Sequence, residues 1–246
     1  IVGLGSIGKR HIKNINQVFP KIKVILFRHK NCDEASIDKL VIDSCFTNID
    51  EAIDTGAEAA IIANPAPMHI AIAKKLAKSG ISILIEKPIS NSLYGVQELI
   101  DICDNNQIML MTGYNLRFKL SLIEFKRQLD KKKIGKIYSV NAQVGQYLPD
   151  WRPNSDYVNS VSASKELGGG VLLELSHEID YLAWIFGPIT WVKSHLSKQS
   201  NLDIDVEDSA NIILGINNNV NSEIIVNLNM DFIRHDRTRT CLVIGD

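Results

Sequence analysis

The sequence has little of what nucleic-acid-binding and membrane-spanning proteins are built from. Its 246 residues carry 27 Lys and Arg against 28 Asp and Glu, without a long basic run. This balance supplies no electrostatic surface for nucleic acid or anionic lipid. No apolar stretch approaches the roughly 20 residues that a membrane-spanning helix needs. We therefore expect neither nucleic acid nor a membrane among its partners.

Cysteine is also scarce, with four residues at positions 32, 45, 103 and 241. None of them shares a C-x-x-C spacing, so the pattern predicts neither a zinc site nor a disulfide framework. We expect a cytoplasmic protein without a metal site, and no signal peptide is recognisable. The chain begins inside an apolar run without methionine and stops in another. We therefore expect the native protein to extend beyond it.

The first eight residues, IVGLGSIG, are an apolar run that leads into G-x-G-x-x-G and then into a helix-like stretch. In this order the motif is typical of a dinucleotide site. Gly3 permits a tight turn, Gly5 lets the backbone approach a pyrophosphate, and Gly8 allows close packing of helix on strand. Ser6 and Ile7 stand at the helix start, where N–H groups bind phosphate. The glycines alone also fit a simple tight turn.

Strand-like and helix-like segments alternate through the first half of the sequence. The strand-like runs are 23–28, 59–63, 81–85 and 108–112, and the helical patterns cover 9–19, 70–79 and 93–105. Such alternation predicts an α/β domain with a doubly wound, mostly parallel sheet, whose ligands bind at the carboxyl ends of the strands.

The pattern changes after about residue 115. A helix is expected over 120–132, an alternating run covers 137–144, and strand-like runs follow at 211–216 and 223–229. Strands with few helices between them predict a largely antiparallel sheet in a second domain. We place the domains at 1–117 and 118–246, the second incomplete at its C-terminus.

The second strand ends in a basic cluster, Arg28-His29-Lys30. An acidic residue at this point would bind the ribose hydroxyls of NAD and repel a 2′-phosphate. Arg28 instead offers charge-assisted hydrogen bonds to a phosphate, which favours NADP over NAD. An exposed strand end with solvated charges is the alternative, and the acidic pair Asp33-Glu34 lies close by.

Glu86-Lys87-Pro88 directly follows the apolar run 81–85. The lysine therefore stands at the carboxyl edge of the sheet, where ligands bind. Proline restricts the backbone of Lys87 and so helps to fix its direction. A strand end with an exposed lysine is the alternative.

A helix is expected after the glycine triplet 168–170, with two different faces. Leu172, Leu175, Ile179, Leu182 and Phe186 form an apolar face, and Glu174, His177, Asp180, Tyr181 and Trp184 form the opposite one. The second face fits either a solvated surface or the lining of a cleft, and its aromatics and histidine favour the cleft. The glycines would let a ligand approach the first turn.

Two further segments offer contacts to ligands. The loop 146–153 contains Trp151 and Arg152, which suit sugar rings and anionic groups. A rigid crossing loop held by its prolines is the alternative. Asn115 and Arg117 follow the last strand of the first domain and are candidate contacts to cofactor or substrate.

Taken together, these motifs resemble the Gfo/Idh/MocA oxidoreductases. The glycine motif, Asn64-Pro65 with His69, Glu86-Lys87-Pro88, and the glycine triplet leading to His177-x-x-Asp180 follow one another in that family's order. The resemblance covers essentially the whole chain. It implies a Rossmann domain followed by an α+β domain whose open antiparallel sheet often mediates oligomerisation, so a dimer or tetramer is expected. Asn64, Pro65, His69, Glu86, Lys87 and Asn115 join the expected cofactor site.

The resemblance also implies an activity and the residues that perform it. Most members move hydride between a nicotinamide cofactor and a sugar, sugar derivative or cyclitol. Lys87 corresponds to their catalytic and substrate-positioning lysine, and His177 to their histidine. The usual D-x-G-x-H spacing is one residue shorter here, with Glu174 in place of the aspartate. Asp180, Tyr181 and Arg117 are expected substrate contacts.

Alcohol oxidation needs a base beside the hydroxyl oxygen, because hydride leaves carbon only as the hydroxyl proton is removed. His177 suits this role near neutral pH, and Lys87 beside an oxidised nicotinamide suits it as base or as cationic donor. The sequence thus predicts an NAD(P)-dependent oxidoreductase acting on a sugar, nucleotide sugar or cyclitol, most similar to members of bacterial surface-sugar pathways. An NAD-dependent eliminating glycosidase and a non-catalytic nucleotide-sensing protein are the alternatives.

Overall fold

The computed structural model describes residues 1–29, 40–218 and 221–246. Its contacts divide the chain into two compact units, Ile1–Gly113 and Tyr114–Asp246. The division falls a few residues before the boundary expected at 117, so Asn115 and Arg117 belong to the second unit.

The first unit alternates short strands with helices. In chain order these are α1 (Ser6–Val18), β1 (Ile25–Phe27), β2 (Ser44–Phe46), α2 (Ile49–Asp54), β3 (Ala59–Ile62), α3 (His69–Lys78), β4 (Ser82–Ile85), α4 (Val96–Asn105) and β5 (Leu110–Thr112). All described pairings between these strands are parallel.

Val2 connects the two halves of this sheet. It forms parallel bridges to Phe27 of β1 and to Ile62 of β3. The order across the sheet is therefore β2, β1, Val2, β3, β4, β5, with the direction of winding reversed between Val2 and β3. This is the doubly wound Rossmann order, and it confirms the predicted parallel sheet.

Apolar runs explain why these strands lie in the interior. Ile83 and Ile85 of β4 and Ile62 of β3 are buried, and α3 packs Ala73 and Ala77 into the same core. Near-continuous apolar strands are expected where helices cover both faces of a parallel sheet. The short strands thereby leave polar loops only at their ends, where the candidate residues lie.

The second unit is built on one five-stranded sheet. Its elements are α5 (Leu120–Asp130), β6 (Ile137–Gly145), α6 (Val171–Glu174), α7 (His177–Phe186), β7 (Ile189–Ser197), β8 (Ser209–Asn218), β9 (Asn221–Asp231) and β10 (Thr238–Gly245). The order is β10-β6-β9-β8-β7. Only the described pair β6–β9 is parallel, so the sheet is mixed but, as predicted, largely antiparallel.

The two faces of this sheet differ sharply. One face carries buried residues such as Val140, Leu214 and Leu228, which belong to the same core as Leu182 of α7. The other face carries Asn141, Gln143, Asn211, Asn227 and Asn229, beside exposed apolar residues on neighbouring strands. Alternation with period two produces this division.

The segment expected to form one helix after the glycine triplet is two helices. α6 ends at Glu174, and α7 begins at His177 after Leu175 and Ser176. The buried face of α7 is therefore set by its own residues at i, i+3, i+4 and i+7: Glu178, Tyr181, Leu182 and Ile185. The single-helix prediction was wrong, because the break shifts the phase of everything after it.

Candidate cofactor and catalytic site

The glycine loop between Val2 and α1 has three distinct glycine environments. Gly3 has φ +89°, and a Cβ on it would lie 3.0 Å from the backbone N of Asn64. A Cβ on Gly8 would collide with the Gly3 carbonyl oxygen, whereas a Cβ on Gly5 would meet no atom within 4 Å. Gly3 and Gly8 therefore permit the turn and the packing, and Gly5 leaves open space above the backbone.

The start of α1 fits a phosphate group. Gly5 is the N-cap and offers no side-chain hydrogen bond to the first turn, which begins with Ser6 and Ile7. The N–H groups of a helix start, together with the helix dipole, favour an anion at this end. The loop therefore fits the pyrophosphate of a dinucleotide, as the motif predicts.

Asn64 follows β3 and lies against this loop. Among the described residues, neither Nδ2 nor Oδ1 of its buried amide has a hydrogen-bond partner. Buried amides are normally satisfied, so an orphaned one at a ligand-binding edge fits a group that a ligand supplies. Pro65 then starts a short 3₁₀ turn, Ala66–Met68. Asn64 and Pro65 remain predicted cofactor residues.

His69 is placed differently from the prediction. Its side chain is 1% exposed, with Nδ1 3.0 Å from the Pro88 carbonyl oxygen and Nε2 2.8 Å from the Asn64 carbonyl oxygen. Burial lowers the pKa of His69, and the backbone hydrogen bonds oppose this effect. The buried ring contacts the loops after β3 and β4, so its observed contacts are structural, and its contact to a cofactor remains a prediction.

Glu86 is bound by a histidine that the sequence analysis missed. His11 Nε2 lies 2.6 Å from Glu86 Oε1, and the Lys87 backbone N–H donates to Oε2 at 3.3 Å. Burial alone would raise the pKa of Glu86, but the hydrogen bond and charge of His11 help to lower it. The position of His11 could have indicated this contact, because His11 stands one helical turn after Gly8 in the helix that follows the glycine loop.

Lys87 directly follows β4 and is half-buried. Arg28 directly follows β1, is half-buried, and donates its backbone N–H to Phe46 O at 3.1 Å. Three charged residues that were considered together with Arg28 lie outside the described residues: Lys30, Asp33 and Glu34.

Four successive strand ends now define one row of candidate residues. Across the sheet it runs from Arg28 after β1, through Gly5 after Val2 and Asn64 after β3, to Lys87 after β4. The carboxyl ends of parallel strands meet at one edge, and ligands bind there at the point where the winding reverses. We call this set the strand-end row.

In the second unit, the structure brings together four residues around the start of α7. Tyr114 and His177 lie edge to face, with ring centroids 5.6 Å apart. Arg117 donates to Asp180 through two bonds, Nε to Oδ2 at 2.9 Å and Nη2 to Oδ1 at 2.6 Å. The bond to Asp180 raises the pKa of Arg117, and burial raises that of Tyr114. Sequence reasoning missed Tyr114.

This arrangement changes how Arg117 and Asp180 are interpreted. Their charges are directed at each other, with Asp180 nearly buried and Arg117 44% exposed. The pair fastens the 3₁₀ turn Asn115–Phe118 to α7 and leaves Arg117 the more accessible partner. Asn115 shares that turn, and its cofactor contact remains a prediction.

Tyr181 was predicted as a substrate contact, and the structure places it in the interior of the second unit. Its side chain is 2% exposed within the core of the second unit, on the same face of α7 as Glu178. Burial, with the nearby Cys241, raises the pKa of Tyr181. The prediction assumed a single helix, and the break at residues 175–176 turns this side chain inward. Glu174, half-buried at the end of α6, remains an untested candidate.

Two glycines of the triplet, Gly169 and Gly170, pack closely against other parts of the protein. A Cβ on Gly169 would collide with the Val161 carbonyl oxygen, and one on Gly170 with the Glu207 carboxylate. Glu207 Oε1 accepts from the Leu172 N–H at 3.0 Å, so this carboxylate holds the first turn of α6. Protein atoms therefore occupy the space beside these two glycines, where a ligand was expected to approach.

The loop after β6 is fastened by its tryptophan. Trp151 Nε1 donates to Gln146 O at 3.1 Å, and the indole packs edge-on against Phe232 at 5.1 Å. These contacts support the alternative of a rigid crossing loop for Trp151. Arg152 is exposed beside it and remains a predicted substrate contact.

Family models match both units of the chain. The oxidoreductase family with an NAD-binding Rossmann fold matches residues 1–114, and the GFO/IDH/MocA C-terminal domain matches residues 122–246. The chain belongs to the GFO/IDH/MocA family. This confirms the resemblance stated from the motifs.

Individual members of the GFO/IDH/MocA family share modest identity with the chain. The myo-inositol 2-dehydrogenase of Thermotoga maritima is 25% identical over 76% of this chain and 54% of its own. The scyllo-inositol 2-dehydrogenase (NAD(+)) of Bacillus subtilis is 26% identical over 79% of this chain and 56% of its own. The chain thus spans little more than half the length of these two relatives.

A solved structure supports the fold of this GFO/IDH/MocA chain. The WlbA dehydrogenase of Bordetella pertussis, in complex with NADH and UDP-GlcNAcA, superposes with a TM-score of 0.84 at 20% identity. The match covers 100% of this chain and 75% of that one.

Within the described ranges, His, Cys, Asp and Glu side chains form no group of three that could hold a metal ion. No helix within 1–29, 40–218 or 221–246 combines the length and apolar character that a bilayer crossing requires.

Proposed function

We propose that this chain is part of an NAD(P)-dependent oxidoreductase that moves hydride between a nicotinamide cofactor and a carbon of a sugar, nucleotide sugar or cyclitol. The observation that carries the proposal is the strand-end row, which combines an open glycine, an unsatisfied buried amide and a lysine on neighbouring parallel strands. Membership of an oxidoreductase family and the relatives named inositol dehydrogenases support it.

The strand-end row suggests how each part of the cofactor is held. Gly5, with Ser6 and Ile7 in the first turn of α1, would hold the pyrophosphate. Asn64 and Lys87 would face the nicotinamide half, and Arg28 the adenosine ribose. Because a cation stands where an acid would favour NAD, we propose a preference for NADP. The cofactor, when bound, supplies the hydride acceptor or donor.

The remaining chemistry belongs to protein side chains. Oxidation of a hydroxyl requires removal of its proton and stabilisation of the developing negative charge on oxygen. We propose His177 as the base and Lys87 as the cationic donor to that oxygen. Arg117 and Arg152, both on the protein surface, are the proposed contacts for hydroxyl or anionic groups of the sugar.

We also propose that the protein assembles with a second copy of itself through the open face of the five-stranded sheet. Leu242, Ile244 and Ile213 expose 61%, 48% and 40% of their surface on that face of the sheet. An exposed apolar patch on one chain is stabilised when a partner chain covers it and removes it from water.

The location of the protein in the cytoplasm, which the cysteine pattern led us to expect, remains a prediction.

A substrate panel tests the proposed activity. The protein is mixed with NAD or NADP and with inositols, hexoses, hexuronic acids or UDP-linked sugars, and reduced nicotinamide is followed by absorbance. We expect reduction with at least one class, and loss of that reduction in the Lys87→Met variant. Cofactor binding without turnover by any of these compounds, in either direction, would instead support a nucleotide-sensing protein.

A further inference from the structure

Two histidines contact the residues on either side of Lys87. His11 of α1 binds the side chain of Glu86, the residue before the lysine. His69 of α3 lies against the carbonyl oxygen of Pro88, the residue after it. All five residues belong to the first unit. The backbone that carries Lys87 is therefore held from both sides by imidazole rings on two different helices.

The contact through His11 reaches the lysine in two steps. Glu86 Oε1 lies 2.6 Å from His11 Nε2, and Oε2 accepts the Lys87 N–H at 3.3 Å. The side chains of His11 and Glu86 are largely buried, with 18% and 15% of their surface exposed. Gly113 packs against the Glu86 carboxylate, since a Cβ on Gly113 would lie 3.1 Å from Glu86 Oε2. The carboxylate can thus take few positions while His11 is present.

The contact through His69 connects two members of the strand-end row. One ring nitrogen faces Asn64 O at 2.8 Å and the other faces Pro88 O at 3.0 Å. Carbonyl oxygens only accept, so the neutral ring donates to one of the two loops and packs against the other, and only the protonated ring donates to both. The ring is buried and has no room to rotate away. It therefore sets the spacing between the loop after β3 and the loop after β4.

We propose that His11 and His69 are positioning residues that fix Lys87 for the reaction. The inference rests on the proposed function in taking Lys87 as the residue that meets the substrate oxygen. Charged and titratable groups around Glu86 include Arg10, His11, Lys87 and His69. Neither histidine touches the reacting atoms in this proposal. They act by restricting where the lysine backbone lies.

The first test needs neither cofactor nor substrate. Lysine amines are reductively methylated with ¹³C, and the signal of Lys87 is assigned by its absence in Lys87→Arg. We expect this signal to move or broaden in His11→Leu and in Glu86→Gln, and to return near its original position in His11→Gln, whose amide N–H can replace Nε2. Glu98→Gln, at the exposed pair with Lys74, is the matched control and should leave it unchanged.

The second test is kinetic, with any substrate found in the panel. A misplaced catalytic group costs up to about 100-fold in rate, so we expect kcat to fall about 10- to 100-fold in His11→Leu. KM and the dissociation constant for NADP should change less than about threefold, because binding groups elsewhere are intact. His69→Phe keeps an aromatic ring but removes both ring nitrogens, and it should behave similarly, with a thermal melt to confirm that it folds.

The outcomes separate this proposal from the proposed function. An unmoved Lys87 signal in folded His11→Leu overturns the positioning role, whatever the activity. A moved signal together with full activity in Lys87→Met supports positioning but contradicts the catalytic lysine. If His69→Phe does not fold, the His11 and Glu86 variants still decide between these results.

Discussion

Lys87 is the residue on which the proposed chemistry depends most. Replacement by Met keeps much of its length and apolar stem but removes its charge and its protons. We expect kcat to fall by roughly 100-fold or more, with little change in cofactor affinity. His177→Asn should also lower kcat, and the remaining activity should rise at higher pH as hydroxide replaces the base. Steady-state kinetics and cofactor fluorescence measure both, and full kcat in Lys87→Met would contradict the assignment.

Arg28 carries the expected choice between NADP and NAD. A charge-assisted hydrogen bond is worth about 1.5–3 kcal/mol, which corresponds to roughly 10- to 100-fold in affinity. We expect NADPH to bind more tightly than NADH, and Arg28→Ala to remove most of that difference while NADH binding is preserved. Titration by nicotinamide fluorescence measures each affinity. Equal affinities in the unmodified protein would contradict this role.

His69 makes stability depend on pH. Burial holds its folded pKa below the ordinary 6.5, so the unfolded chain takes up more protons as pH falls below that value. Stability should therefore decrease from about pH 6.5 downward. The pKa of Glu86 is lowered from 4.5, so its contribution is lost only at still lower pH. In urea melts across pH, His69→Gln should remove the first decrease, and the exposed-ring variant His195→Gln should retain it.

Two glycines in the turn from Val2 into α1 have different roles: Gly8 is needed for packing, and Gly5 is proposed to contact the cofactor. A Cβ on Gly8 would strike the Gly3 carbonyl, so Gly8→Ala should lose about 1–3 kcal/mol of unfolding free energy, as overpacked sites do. Gly5→Ala meets open space in the protein and should change stability little, but weaken cofactor binding. Denaturant melts and fluorescence titrations compare the two. A Gly5→Ala protein with unchanged affinity would indicate that no phosphate approaches here.

How far each element could be predicted depends on how strongly its own residues specify it. The apolar runs of β3 and β4 and the amphipathic α3 were found because burial on both faces or on one face leaves a clear period. β2 and α2 were missed because a three-residue strand and a six-residue helix carry almost no period. β7 was missed because its edge position exposes alternate polar and apolar residues.

The positions of the candidate residues were also predicted well where topology determines them and poorly where distant contacts do. The strand ends placed Arg28, Asn64 and Lys87 correctly at one sheet edge, since topology alone brings them there. The burial of Tyr181 and His69 was not predicted, because it depends on partners distant in sequence. Tyr181 turns inward because the helix breaks, and His69 lies between the carbonyl oxygens of Asn64 and Pro88. No local pattern reveals either event.

The second unit carries exposed apolar residues on one face of its five-stranded sheet. If a second copy covers it, Leu242→Asp at an exposed position should convert the oligomer to monomer, because a buried unpaired charge is costly. Light scattering measures the mass, and Leu93→Asp, at an exposed residue of the first unit, is the control. A monomer in the unmodified protein would contradict the proposed assembly.

A crystal structure of the protein with NADP decides whether the strand-end row is the cofactor site. We expect the pyrophosphate against Gly5 and the N–H groups of Ser6 and Ile7, the 2′-phosphate within hydrogen-bond distance of Arg28, and the nicotinamide beside Asn64 and Lys87. A cofactor bound away from these strand ends, or in the reverse orientation with its nicotinamide at Arg28, would contradict both the site and the role given to Lys87.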